Sequence, residues 1–432
     1  MQREVSVELN IYHPAAILVA GHIFYLLLFI AAPLNVVVPP SWESLYVYFA
    51  ASFLLFTFLS FTVKLPLVRK VNFKISYDKR VVNRILWVAI FIISVGVLFR
   101  LVDRFVYRDL SLLMSSYERK ELIESSDSSV FSIISAFVFP AGLFIYPLCR
   151  ILQPDSRLLK YSALLLFIYP SFDVILTGNR GVMVMTLALY FMIMLVFNEF
   201  NHNRKKIIFF GLVFITAFSL SLYVIVNRIT SFGFDPGYSA NYSGYAYTAK
   251  PNEQASKALK SDDFMGVMTF GYVNFCQYYL HGVLEWGYLY DKFEAGNHQN
   301  GRASFAVVHK FYETIVGVSS NDDEVRRAFP RSGVYTTFLG PFFVDFGYGM
   351  FLLIIVLGVI IRALWRALIK GAIIVFPIYL YFCGVLFFYP VVNFIRNALG
   401  LYIIVSFICI TPLLLYLYNK IVITNEGIKS VK

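Results

Sequence analysis

Charge is scarce in this chain. Of 432 residues only 15% are charged, while 59% are hydrophobic and 18% aromatic; soluble domains carry about 25% charged residues. That balance excludes an ordinary soluble globular protein. Lys and Arg outnumber Asp and Glu by 37 to 26, yet the basic residues form no face or helical stripe of the kind that binds nucleic acid. They sit in short segments between apolar runs instead. Cysteine is also sparse: Cys149, Cys276, Cys383 and Cys409 are too scattered for a CxxC metal pair or a disulfide framework. No P-loop, GxGxxG fingerprint or HExxH helix is present, so nucleotide hydrolysis and zinc proteolysis have no support, and no metal or cofactor is expected. No A-x-A-like site follows the first apolar run, which is expected to stay as an anchor. Internal repeats, low-complexity tracts and a soluble cytoplasmic domain are not evident.

What is abundant is membrane-spanning sequence. Apolar stretches of roughly 16–20 residues, near the length needed to cross a bilayer, recur along the chain. They cover 14–33, 45–63, 85–102, 130–149, 161–176, 182–197, 207–226, 346–364, 372–388 and 399–418. The expected fold is an all-α polytopic membrane protein of about ten to twelve helices, one membrane domain over 1–432. The interval 228–335 is expected to form a large extracytoplasmic loop between the seventh and eighth spans. Within it, 233–254 has turn-forming composition, and 264–290 is amphipathic and aromatic enough to lie along the membrane surface.

Every second connection is basic. Lys64, Arg69, Lys70, Lys74, Lys79, Arg80 and Arg84 crowd the second, Arg150, Arg157 and Lys160 the fourth, Arg204, Lys205 and Lys206 the sixth, and Arg362, Arg366 and Lys370 the eighth. Positive-inside insertion then puts both termini in the cytoplasm. The first connection, 35–44, has no Lys or Arg, and the third, around 107–129, is net acidic.

Against that bias, some arginines fall outside. Arg180 sits in the turn Thr177-Gly178-Asn179-Arg180-Gly181 between two spans, where Asn179 would cap the following helix and the glycines let backbone approach a ligand. Arg228 ends the seventh span, Arg331 precedes the eighth, and Arg396 lies in the last outward turn, 390–398. Such cations suit a diphosphate, which arginine grips bidentately. Headgroup contact or snorkelling is the plainer role, above all for Arg302, Arg326 and Arg396. For an acid or base, Asp345 lies in the apolar run 336–347, where a carboxylate serves either chemistry or an ion pair. His309 is the best placed histidine of the long loop, with His281 and His298 sharing it. The acidic run 321–324 reads as a solvated turn.

On those features the chain resembles the bacterial O-antigen polymerases, the Wzy-type oligosaccharide repeat-unit polymerases. The likeness rests on ten to twelve spans with cytoplasmic ends, the 177–181 turn, and a large late outward loop ending in the 336–349 element with Asp345-Phe346-Gly347. It covers the central and C-terminal two-thirds. The resemblance implies a GT-C-like architecture in the bacterial inner membrane with the active site facing the periplasm. It implies a metal-independent glycosyltransferase that polymerises undecaprenyl-diphosphate-linked oligosaccharide repeat units, releasing undecaprenyl diphosphate. Arg180, Arg228, Arg331 and Arg396 would hold the diphosphate, and Asp345 or His309 would be the base. A chain-length regulator and a flippase would be partners; nucleic acid would not. The rivals are an O-antigen ligase, which uses lipid A-core as acceptor, and a lipid-linked oligosaccharide flippase or other transporter. The absence of repeat halves and the gathering of charge at one face favour an enzyme over a transporter.

Overall fold

The computed structural model describes residues 2–60, 67–110, 122, 129–177, 180–202, scattered positions between 207 and 233, 235–261, 263–316, 322–331, 333–396 and 399–425. It is 72% helical. Among the described residues six helices are long and apolar enough to cross a membrane: Pro14–Ala31, Trp42–Ser60, Lys79–Tyr107, Val130–Leu152, Gly340–Ile369 and Gly400–Tyr418. Gly181–Val196 and Ile373–Phe387 are apolar but shorter. The architecture is that of a polytopic membrane protein. The fifth expected span is the helix Arg157–Thr177, and most of the seventh lies outside the described residues.

Two small sheets, which hydropathy did not announce, mark the two ends of the bundle. Strand β1 (Gln2–Tyr12) pairs antiparallel with β3 (Val68–Asp78), from Gln2 opposite Asp78 to Tyr12 opposite Val68. On the other edge of β3 the C-terminal strand β5 (Ile421–Asn425) pairs from Phe73 opposite Asn425 to Tyr77 opposite Ile421. Side chains alternate as pleating requires: Val5, Val7, Leu9, Ile11, Val71, Phe73 and Ile75 are buried, while Glu4, Ser6, Glu8, Lys70, Asn72 and Lys74 are exposed. The second basic connection is therefore largely a strand, with Lys70 and Lys74 on its outward face, while Lys79 opens the helix that follows. Tyr77 fastens the sheet to the helices by donating to the Leu152 carbonyl at 2.6 Å, and Arg3 and Lys79 converge on Asp155.

Helix α1 (Pro14–Ala31) leaves this sheet end. His13 caps it through Nδ1, which accepts from Ala15 N–H at 3.2 Å, and Pro14 supplies a preset φ at the first position. At the far end the short strand β2 (Leu34–Val36) pairs with β4 (Ala249–Pro251), tying the first connection to the long interval. Helix α2 (Trp42–Ser60) returns to β3, and α3 (Lys79–Val102) runs out again, ending in a π-helical turn over Asp103–Tyr107. Helices α4 (Val130–Val138) and α5 (Gly142–Leu152) form the next crossing, broken at Phe139–Ala141 by Pro140. Helix α6 (Arg157–Thr177) leaves the sheet end and α7 (Arg180–Val196) comes back to pack against β1, with α8 (Glu199–His202) beyond it. The end of α6 at Thr177 and the start of α7 at Arg180 thus lie at the far end; residues 178 and 179 of the expected turn are outside the described residues.

The long interval carries α9 (Pro236–Tyr242), α10 (Glu253–Ala258), α11 (Phe264–Lys292), α12 (Ala306–Val316) and α13 (Asp322–Ala328). Asp263 starts α11 by accepting from Gly266 N–H at 2.9 Å. Helix α11, 29 residues long, is not a free surface helix. It lies across the far ends of α1 and α2: Tyr25 donates to the Leu280 carbonyl at 2.8 Å and Trp286 Nε1 to the Ser44 carbonyl at 2.9 Å. Gly282 and Gly287 permit the contact, since a Cβ at 282 would stand 2.4 Å from the Val391 oxygen and one at 287 would stand 2.5 Å from Pro40 Cβ.

The C-terminal part departs from its expectation in two ways. The eighth span is bent: α14 (Gly340–Phe346) meets α15 (Met350–Ile369) at Gly347, whose φ of +53° suits glycine. The ninth, α16 (Phe376–Phe387), has only 12 residues, about 18 Å at 1.5 Å per residue, so it stops inside the bundle. The outward turn was expected at 390–398, of which 397 and 398 lie outside the described residues. Residues 388–396 are instead irregular and mostly buried, before α17 (Gly400–Tyr418) leads back to β5. Irregular backbone at this depth must find partners within the protein. Phe338 N–H donates to the Tyr389 carbonyl at 2.9 Å, Asn393 Nδ2 to the Phe338 carbonyl at 2.9 Å, and Tyr381 to the Phe394 carbonyl at 3.0 Å.

Candidate active site

The residues that come together at the far end converge on the segment 329–335. Arg331 Nη1 donates to Glu285 Oε1 at 2.9 Å, and its Nη2 donates to the Gly244 carbonyl. Its guanidinium lies 4.0 Å from the ring centre of Tyr247, a close cation–π contact. Glu285 also accepts from the Thr248 hydroxyl at 3.2 Å. Burial pushes the Glu285 carboxyl up to about 7, against the opposing pull of Arg331 and Thr248. An acid raised toward neutrality beside a cation, outside the bundle of spans, makes the pair a candidate for function.

One helical turn back, His281 is fully buried. Nδ1 donates to the Gln277 carbonyl at 2.9 Å and Nε2 accepts from Tyr335 N–H at 3.0 Å, a pattern that fixes the neutral tautomer. Burial holds this imidazole down at about 4, in the same sense. His281 therefore positions Tyr335 and carries no charge. Gln277 in turn donates to the carbonyls of Ala240 and Ala249, at 2.9 and 3.0 Å. Gln277, His281 and Glu285 form a stripe four residues apart on α11, aimed at the polypeptide that folds over it. Sequence reading passed over that stripe and placed His281 only as a member of the long loop. The signal was there, in three polar residues at helical spacing inside a run of aromatics.

Of the residues expected in the site, Arg331 is at its centre. Arg396 joins from the 388–396 segment, its guanidinium 4.9 Å from the ring centre of Phe329, with the Asp345 carboxylate as its electrostatic partner. Asn393 shapes that turn by accepting from Ile395 and Arg396 N–H at 2.9 and 3.1 Å. Asp345 is buried, and its two oxygens accept from the backbone N–H groups of Ala303 and Ser304 at 2.9 and 2.6 Å. It pins the turn 299–305 to α14, the work of an anchor more than of a base. His309 is half-buried on α12, edge-on to Tyr312 and one turn beyond Phe305. The backbone of Arg180 opens α7 at the far end; its side chain, and Arg228 altogether, lie outside the described residues. Among the described residues no three His, Cys, Asp or Glu side chains gather to hold a metal ion.

A second set of arginines was not anticipated. Arg100, Arg104 and Arg108 are four apart at the far end of α3, through its π turn. Asp103 holds the last of them at 3.1 Å and accepts from the Ser129 hydroxyl at 2.5 Å. Its acidic composition alone had defined that connection.

The aromatic surroundings complete the geometry. Tyr245 and His281 approach to 4.6 Å between centres, Tyr278 and Tyr335 meet edge-on at 5.5 Å, and Tyr247 meets Tyr288 at 5.4 Å. An ionisable carboxylate, an arginine and a tyrosine-rich wall can bind an anion, take a proton and present flat apolar faces to a ligand. No protein-family model, curated protein or solved structure matches the chain.

Proposed function

We propose that this chain is a glycosyltransferase of the O-antigen polymerase type, joining undecaprenyl-diphosphate-linked repeat units at the periplasmic face of the inner membrane. The orientation follows the basic residues: the three-stranded sheet and its lysines take the cytoplasmic side, and α11 with the 329–335 segment takes the other. The observation that carries the proposal is the Arg331–Glu285 pair, a buried carboxyl raised to about 7 against a guanidinium that is itself part-exposed.

The pair suggests how binding and chemistry are coupled. A diphosphate arriving at Arg331 competes with Glu285 for the guanidinium. As the arginine turns to the phosphate, the carboxylate loses its counter-charge and becomes more basic. It then takes the proton of the acceptor hydroxyl, whose oxygen bonds to the anomeric carbon. The bond from that carbon to the diphosphate oxygen breaks, and undecaprenyl diphosphate leaves with the electron pair, neutralised by Arg331 and Arg396. In this scheme Arg180 and Arg228 stay candidates for the diphosphate on sequence grounds, Asp345 keeps the 299–305 turn in place, and tyrosine faces stack on the sugars. His309 remains the alternative base.

The test is purified protein supplied with one lipid-linked repeat unit and run on a gel. A ladder marks polymerisation, and transfer only to added lipid A-core marks a ligase. One observation favours the rival transport reading: transporters unwind helices at their substrate sites, and 388–396 is unwound next to Arg396. Movement of the glycolipid across proteoliposomes with no covalent product would select it.

A further inference from the structure

At the opposite end of α11 from Glu285 lies a groove of about 560 Å³. One wall is the face of α10 formed by Asn252, Ala255 and Ala258, the other is Met268 and Tyr272 on the first turns of α11, and Pro33 closes it beneath. Tyr272 donates to the Ala31 carbonyl at 3.0 Å, which fixes the groove to the end of α1. Exposed apolar side chains stand on the two helices that border it: Ile30 is 80% exposed on α1, and Phe264 is 75% exposed where α11 begins. Such apolar exposure is stable only in hydrocarbon. Lys257 stands on α10 and Lys260 just after it, both exposed, on the side of the bundle where positive charge is otherwise disfavoured.

The geometry points to this groove as the seat of the acceptor lipid, with polyprenyl chain between α10 and α11 and the diphosphate beside Lys257 and Lys260. The assignment rests on the proposed function. In a reaction that extends a repeat unit at its non-reducing end, the acceptor's own diphosphate must lie one glycan away from the base. From Tyr272 to Glu285 the helix advances thirteen residues, about 20 Å, the length of a short oligosaccharide. Helix α11 thus acts as the ruler between the acceptor's lipid anchor and its reacting hydroxyl.

The experiment replaces Met268 by the photoreactive p-benzoylphenylalanine in the full chain, reconstituted in nanodiscs of phosphatidylethanolamine and phosphatidylglycerol. Met268 is 46% exposed, so the group fits without disturbing the core. Leu352, 66% exposed at the start of α15, serves as the control for ordinary lipid contact. Radiolabelled polyprenyl diphosphate should label position 268 at least tenfold over position 352, and unlabelled polyprenyl diphosphate should remove that signal where equal phosphatidylglycerol does not. Equal labelling at the two positions, or equal competition by phosphatidylglycerol, overturns the assignment. Labelling needs no turnover, so a protein that makes a ladder without labelling loses the groove alone. One that labels without making a ladder loses the catalytic proposal instead.

Discussion

Arg331 and Glu285 face each other at 2.9 Å with unequal exposure, the carboxylate 1% and the guanidinium 16% accessible. In the proposed reaction the arginine is the half that an arriving ligand would meet, and the acid the half whose proton affinity would respond.

If Glu285 is the base, activity has a pH dependence of definite sign. The free carboxyl is raised to about 7, so it is protonated and idle below that value. Reaction rate with limiting lipid-linked substrate should rise through about pH 7 and level off above it, and Glu285→Gln should abolish the rise with the activity. A flat profile between pH 6 and 8 contradicts the assignment.

The same shift bears on stability. A carboxyl whose folded pKa lies above its unfolded value of 4.5 contributes stability below the unfolded value, and loses it as pH rises through the folded one. The difference is on the order of 3 kcal/mol. Thermal unfolding in detergent should therefore fall more steeply between pH 5 and pH 8 for the native chain than for Glu285→Gln, as followed by tryptophan fluorescence.

Removing only the arginine leaves a buried carboxylate without its counter-charge. Arg331→Ala should cost about 3 kcal/mol and reduce glycan transfer at least a hundredfold. Arg331→Lys should not rescue activity, because an ammonium cannot at once bridge Glu285, reach the Gly244 carbonyl and lie flat on Tyr247. The double change Arg331→Ala with Glu285→Gln should recover most of the stability and none of the activity.

Close packing of α11 on the unwound segment is equally testable. A methyl at position 282 would meet the Val391 oxygen at 2.4 Å and the Pro390 oxygen at 2.6 Å, both backbone atoms that cannot rotate away. Gly282→Ala should lower the midpoint of thermal unfolding and cut activity at least tenfold, while Gly296→Ala, with open space around it, should change neither.

How much of this was legible in the residues depends on which force wrote it. Spans were readable because hydrocarbon demands length and apolarity, and nine of the ten expected runs contain described helix near their expected limits. The sheet was half-readable: Val5-Ser6-Val7-Glu8-Leu9 and Val71-Asn72-Phe73-Lys74-Ile75 alternate with period two, but the flanking cations drew the eye to topology. The buried course of 388–396 was hidden because locally it reads only as a turn, and its partners Phe338 and Gly282 are distant in sequence. Arg331 and Arg396 drew notice in the sequence as cations expected on the wrong side of the charge bias. Glu285 did not, because its character comes from burial and from an arginine 46 residues away, neither of which is local.

Glycan transfer through the Arg331–Glu285 pair is tested most directly by one gel. Purified protein and its Glu285→Gln form, at equal amounts and with matched unfolding midpoints, are given the same lipid-linked repeat unit. A ladder from the native chain and none from Glu285→Gln is the expected result. Ladders of equal extent from both would remove the carboxylate from the chemistry and the proposal with it.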